Sequence, residues 1–385
     1  MARKVCVVIT ARPSYARIYT ALEALRTHED VELQIVVAAS ALLERYGNAV
    51  SVIEEAGFSI DRQVYMIVEG ENLVTTAKST GFGLAELATV FDNLKPDIVV
   101  TIADRFETMA TAVAASYMNI PLAHIQGGEV TGSIDEKVRH AVTKLADFHL
   151  VSSQKAAERV IRMGENPDSV LVTGCPSIDL AQTAIEAESR DTAKVLSAYG
   201  GVGAQVDVAG GYVVVLQHPV TTEYEQAYNH VSETLEAVRE GGYPALWFWP
   251  NVDAGSDNTS KAIRGFRERH ELSNVHFYRN LSPLDFLSIL INSDCIVGNS
   301  SAGIRECSYL GVPAVNIGNR QQGRDRGGNV IDVGYNRNEI IRAIEHCRSN
   351  GRPERDLLYG DGKAGPKIAE ALATTTVSIE KMLPY

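Results

Sequence analysis

The run HIQGGEVTGSIDEKVRH, residues 124–140, gathers histidines, carboxylates, an arginine and a Gly-Gly pair directly after a short apolar run, Ile120–Ile125. Gly127 and Gly128 let the backbone come close to a bound molecule. Ser133 with Glu136 three residues later fits a capping box, which gives Glu136 a structural reason. Asp135 suits the first turn of the same helix, where an acid favours the dipole. Glu129 lies in a glycine-flanked loop without such a duty, so it is a candidate for moving a proton.

Comparable chemistry recurs elsewhere. In TARPSYARI (10–18) Arg12 sits in the turn before a helix opened by Pro13, a position that favours anions. In TIADRFET (101–108) Asp104 caps a helix or transfers a proton, and Arg105 pairs with it or holds a phosphate or sugar. In CIVGNSSAGIRECSYLGVPAVNIGNRQQGR (295–324), Ser300, Ser301 and Gly303 form small-residue hydroxyl chemistry at a helix start, suited to phosphate. Glu306 follows roughly 9 Å along the axis at ~1.5 Å per residue, a distance that spans diphosphate to ribose. Arg320 ends the next strand unit, and LQHPVTTE and WPNVDAGSD add His218 and Asn251 at two further strand ends.

These residues need a frame that brings strand ends together. Short apolar runs alternate with segments of helical period: strands at 4–10, 32–39, 96–103, 121–125, 148–153 and 169–174 are interleaved with helices at 15–25, 41–56, 106–118 and 136–146. After a tract rich in Ala, Gly, Ser and charge, the alternation restarts with strands at 212–217, 245–250, 275–279, 295–299, 313–318 and 330–333. Helices are expected at 223–240, 260–270, 283–292, 303–310 and 338–349. Runs apolar on both faces are those of buried parallel strands. The class expected is α/β, with two Rossmann-like doubly wound domains facing across a cleft and ligands at the carboxyl ends of the strands. The boundaries expected are 1–185, a linker at 186–211, 212–365, and a last helix at 366–385 that returns to the first domain.

Composition narrows the partners. The chain has 385 residues, 45% hydrophobic, with a net charge of −12. That balance argues against a nucleic-acid or membrane-surface partner but leaves room for a small anion held by local arginines. The five cysteines include no CxxC pair, which points to buried thiols, a reducing compartment and no structural metal. No apolar stretch reaches the ~20 residues of a membrane span. A cytoplasmic protein is expected.

Taken in order, IADRFET, HIQGGEVTGSIDEKVRHAVTKLAD, VTGCPSIDL, LQHPVTTE, PNVDAGS and VGNSSAGIRECSYLGVPAVNIGNRQQGR resemble the hydrolysing UDP-N-acetylglucosamine 2-epimerases of sialic-acid synthesis. The resemblance implies a glycosyltransferase-B fold, a UDP-sugar substrate, UDP as product, a homodimer and no cofactor. It makes Asp104 a catalytic carboxylate and matches Asp135 to another acid position, with Glu129 a further candidate. Arg12, Arg105 and His218 become nucleotide-sugar contacts. Asn251, Leu281, Ser300, Ser301, Glu306 and Arg320 become contacts to the uridine diphosphate. Gln126 and Arg139 are counted with the substrate contacts. Two departures stand out. The family often has glutamate where this chain has Gln126, and Arg-Ala-Asp-Tyr where this chain has Arg12-Pro13-Ser14-Tyr15.

The implied route removes the sugar C2 proton as the nucleoside diphosphate leaves C1. The resulting 2-acetamidoglucal then takes up water, giving N-acetylmannosamine. A partly buried carboxylate with a raised pKa would suit the weak C2–H acid. The alternatives are the same reaction on a UDP-2,4-diacetamido-2,4,6-trideoxyhexose, which Gln126 and Ser14 favour, and a non-hydrolysing epimerase. A glycosyltransferase and a catalytically idle nucleotide-sugar binder complete them.

Overall fold

The structure, a computed structural model, describes residues 2–44, 48–70, 72–130, 134–187, 191–249, 256–279 and 281–383, with the backbone alone at 134, 135, 221, 222, 224, 256 and 257. The chain forms two compact units. One comprises Met1–Val130, Ile134–Asp179 and Gly360–Tyr385, and the other is built on Leu180–Tyr359.

The first unit is built on seven strands: β1 (Arg3–Ile9), β2 (Val31–Ala38), β3 (Arg62–Val64), β4 (Ile98–Ile102), β5 (Leu122–Ile125), β6 (Phe148–Val151) and β7 (Val170–Val172). Their order is β3-β2-β1-β4-β5-β6-β7, and all neighbours are parallel. Val5, Val7, Ile9, Ile98, Val100 and Ile125 pack on one face of this sheet, and Cys6, Val8, Val36, Val99 and Leu122 on the other. Both faces are therefore apolar, as in a doubly wound sheet.

The second unit has β8 (Gly201–Gly203), β9 (Val213–Leu216), β10 (Ala245–Phe248), β11 (Val275–Tyr278), β12 (Cys295–Gly298), β13 (Ala314–Ile317) and β14 (Val330–Val333). Their order is β14-β13-β12-β9-β10-β11-β8, parallel except for β8, which runs antiparallel to β11.

Several expectations shift. The stretch 186–211, read as a linker, contributes the helix Thr192–Ser197 and the edge strand β8 to the second unit. The last helix, expected over 366–385, spans Ala364–Thr374. It buries Ile368, Ala369 and Leu372 in the first unit's core, where Arg3 donates to the carbonyls of Leu372 and Thr375. The helix expected over 303–310 is a 3-10 turn, Ser301–Gly303, followed by a short helix, Glu306–Leu310.

Candidate active site

In the first sheet the strand order reverses between β1 and β4, and in the second between β12 and β9. Ligands in open α/β sheets bind at such switch points, beyond the carboxyl ends of the strands. Several of the expected residues follow the strands at these points and others follow neighbouring strands, while Arg139 and Glu306 stand on helices. In the first unit Arg12 follows β1, Asp104 and Arg105 follow β4, and Gln126 and Glu129 follow β5. In the second unit His218 follows β9, Leu281 follows β11, Ser300 and Ser301 follow β12, and Arg320 follows β13. Asn251 lies outside the described residues. Asp135 stands in the first turn of the helix Ile134–Leu145 with its side chain outside them, and Ser133 lies outside them too.

The first unit's centre is an ion pair. Asp104 binds the Arg139 guanidinium, which is 2% exposed. Arg139 Nη1 also donates to the Glu129 carbonyl at 2.8 Å. Arg139, expected among the substrate contacts, is thus an internal partner of the proposed acid. Glu129 is buried as well, its Oε1 accepting from Ser152 Oγ at 2.8 Å. Arg105 reaches Glu107, which is fully buried in the next helix, at 3.3 Å. The chain leaves β4 and β5 through Ala103 and Gln126, both at φ 65. That is left-handed backbone, which costs a non-glycine residue and clusters at functional sites. Gly128, also left-handed at φ 74, lies so close to the helix Gln154–Arg162 that a Cβ would fall 2.3 Å from the Ala156 carbonyl.

Gln126 is buried. Its Nε2 donates to Cys175 Sγ at 3.1 Å, while its Oε1 has no hydrogen-bond partner among the described residues. The Tyr15 hydroxyl, just after Arg12, is also buried without a partner among the described residues, and burial pushes its pKa up. Such groups need an explanation in a native fold, and a polar ligand supplies one.

The second unit's centre is Asn299, which the sequence reading did not single out. Its Oδ1 accepts from the His218 amide at 2.7 Å, and its Nδ2 donates to the His218 carbonyl at 2.8 Å. Its own carbonyl accepts from Arg320 Nη1 at 3.0 Å and Gln321 Nε2 at 2.9 Å. One residue therefore ties together the ends of β9, β12 and β13. Gly298, at φ 135, makes the approach possible: a Cβ there would lie 2.1 Å from the Leu216 carbonyl. Burial, and then the charge of Arg320, hold the His218 imidazole well below its usual pKa, so it is a neutral donor or acceptor. Ser300 Oγ caps the Ser301–Gly303 turn by accepting from the Ala302 amide, and Glu306 Oε2 is buried without a partner among the described residues. This unit thus presents an arginine, a histidine, hydroxyls and a carboxylate, the chemistry of a nucleoside diphosphate.

The model of the UDP-N-acetylglucosamine 2-epimerase family matches residues 23–373. The chain belongs to that family. It is 30% identical to the hydrolysing UDP-N,N'-diacetylbacillosamine 2-epimerase of Legionella pneumophila, over 97% of this chain and 96% of the relative. It is also 30% identical to polysialic acid biosynthesis protein P7 of Escherichia coli, over 98% and 94%. Among solved structures, the UDP-GlcNAc 2-epimerase of Neisseria meningitidis bound to UDP-GlcNAc superposes with a TM-score of 0.81 at 20% identity, covering 97% of this chain and 100% of that one. The two doubly wound units are those of the glycosyltransferase-B fold. This member of the family carries an amide, Gln126, directly after β5.

Proposed function

We propose that this family member is a hydrolysing 2-epimerase of a UDP-linked 2-acetamido sugar. The observation that carries the reading is Asp104, a carboxylate set at the switch point of the first sheet and paired with buried Arg139. In this reading the second unit binds UDP through His218, Asn251, Leu281, Ser300, Ser301, Glu306 and Arg320. The acids Asp104, Glu129 and Asp135 serve the sugar, with Arg12, Arg105 and Gln126 against it. A carboxylate takes the C2 proton, and the C1–O bond breaks with its electron pair leaving on UDP. Water then adds its oxygen to C1 and a proton to the opposite face of C2. The positive charge of Arg320 and the donors around it stabilise the leaving diphosphate. Positioned acid–base groups of this kind contribute on the order of 10²–10⁴-fold.

The expected sugar is UDP-N-acetylglucosamine, giving N-acetylmannosamine. A second reading, a UDP-2,4-diacetamido-2,4,6-trideoxyhexose, is favoured by Gln126. With Nε2 committed to Cys175, its Oε1 offers an acceptor to an extra N–H donor. The activity in the Legionella relative's name agrees with this second sugar. The protein works as a homodimer. A second copy would cover the outward side of the helix Leu73–Leu94, where Val74 and Phe82 are 63% and 57% exposed. The cytoplasm suits its five buried free thiols, and no helix among the described residues is long and apolar enough to cross a membrane.

The test is proton NMR in deuterated buffer with each UDP-sugar in turn. A free 2-epimer deuterated at C2, together with UDP, is the expected product. An epimer still linked to UDP, or no turnover of either sugar, would overturn the reading.

A further inference from the structure

His124 lies in β5, one residue before the strand ends, and is fully buried. Its Nε2 is 2.9 Å from the Ala103 carbonyl, and its Nδ1 is 3.1 Å from Thr143 Oγ1. A carbonyl only accepts, so Nε2 carries the proton. Burial lowers the ring's pKa to about 4, against the hydrogen bond to Ala103, so near neutral pH the ring has one proton and Nδ1 accepts from the threonine hydroxyl.

Both partners have telling positions. Ala103 immediately precedes Asp104 and holds the left-handed φ of 65 that turns the chain out of β4. Thr143 lies four residues after Arg139 on the helix Ile134–Leu145, hence on the same face. The imidazole therefore ties the same two segments that the Asp104–Arg139 ion pair joins, one residue from the acid and one turn from the arginine. Gly127 leaves it room, since a Cβ there would stand 3.0 Å from both His124 Nδ1 and Thr143 Oγ1.

We infer that His124 is a positioning residue: it holds the strained Ala103 carbonyl and the arginine-bearing helix in register, so that Asp104 is aimed at the substrate without His124 touching it. The inference rests on the reading of Asp104 as the catalytic acid. Supporting groups of this kind decide whether a site is held to the fraction of an ångström that chemistry needs.

The experiment compares His124→Leu, His124→Gln, Thr143→Val and Asp104→Asn, on whichever of the two UDP-sugars is turned over. His124→Leu should lower kcat about 100-fold, with KM and the Kd for UDP within about threefold of the parent. His124→Gln, whose Nε2 still donates to the Ala103 carbonyl, should restore kcat to within about tenfold. Thr143→Val keeps the fold if the leucine variant does not, and should lower kcat about tenfold at unchanged KM. Nitrogen-15 NMR should show the parent's His124 protonated at Nε2. Unchanged kcat in both His124→Leu and Thr143→Val, an equal loss in the leucine and glutamine variants, or a proton on Nδ1 would overturn the inference. Full turnover by Asp104→Asn would instead overturn the reading of Asp104 itself.

Discussion

Lys381 is a lysine near the carboxyl end whose loss should be felt in the body of the first unit. Its Nζ lies 2.6 Å from Glu165 Oε2 and 2.5 Å from the Ala146 carbonyl, just past the end of the helix Ile134–Leu145. Glu165 is 3% exposed and also binds Lys144 at 2.6 Å and His149 at 3.0 Å. Burial alone would push the Glu165 carboxyl up, but bonds from His149, Lys144 and Lys381 outweigh it and bring it to about 2. Consider Lys381→Met, which keeps most of the apolar stem. Hydrogen bonds to charged groups contribute about 1.5–3 kcal/mol each. Ordering the lysine costs about 2 kcal/mol of rotamer entropy, and its partial exposure screens the pair. A net loss of about 2 kcal/mol is expected, or about 4–8 °C in Tm for a unit of this size. The sign with pH follows from linkage. Glu165 has a folded pKa below its unfolded one, so its contribution is present above about 4.5 and is lost as pH falls toward about 2. The variant has less of that contribution to lose, so its deficit should shrink on acidification. Urea unfolding of parent and variant at pH 7, 5 and 3.5 measures this. Equal midpoints at pH 7, or a deficit that stays constant or grows as pH falls, would refute the account.

Gly298→Ala should cost several kcal/mol and weaken UDP binding at least tenfold. Its Cβ would collide with the Leu216 carbonyl at a left-handed φ, and calorimetry with UDP reads the loss. Glu306→Ala should raise the Kd for UDP about tenfold while leaving kcat at saturation within about threefold, since its buried Oε2 is proposed to accept from the ribose. Phe82→Glu should convert the proposed dimer to monomer in sedimentation equilibrium without lowering Tm, because the ring is 57% exposed.

Much of the frame was legible because buried parallel strands announce themselves. VCVVI, IVVTI and CIVG are apolar on both faces, and each forms a strand within a residue or two of the expected ends. The helix Leu73–Leu94 was not singled out. Its inward positions include Ser79 and Gly83, the latter set so close to Met66 that a Cβ would lie 2.4 Å from its Cε, so the apolar period is broken. At the other end of the chain the apolar pattern misled. Ile379, Met382 and Leu383 continue a helical period yet are exposed beyond the last helix, which stops at Thr374. Strand-end residues such as Asp104 and His218 were visible from residue type and place alone. Their partners were not, because Arg139 on Asp104 and Asn299 on His218 are long-range pairings that no local spacing encodes. The one local signal for Asn299 was an amide directly after the strand-ending Gly298.

The two units differ in how their chain is supplied. The second is an almost uninterrupted run, Leu180–Tyr359, whereas the first closes its core only with Ala364, Ile368, Ala369 and Leu372. During synthesis the amino-terminal unit is therefore made first but completed last. Until the final helix leaves the ribosome, the apolar seat beside Ala21, Leu22 and Leu25 stands open to water, while the later unit already has all its strands. The amino-terminal unit, which ordinarily folds first as a chain emerges, here lacks part of its core until Ala364–Thr374 has been made. For a nascent chain this makes the helix Ala364–Thr374 a completion signal. A message truncated just before it yields one finished unit and one with an exposed hydrophobic groove, a ready substrate for chaperones and proteases.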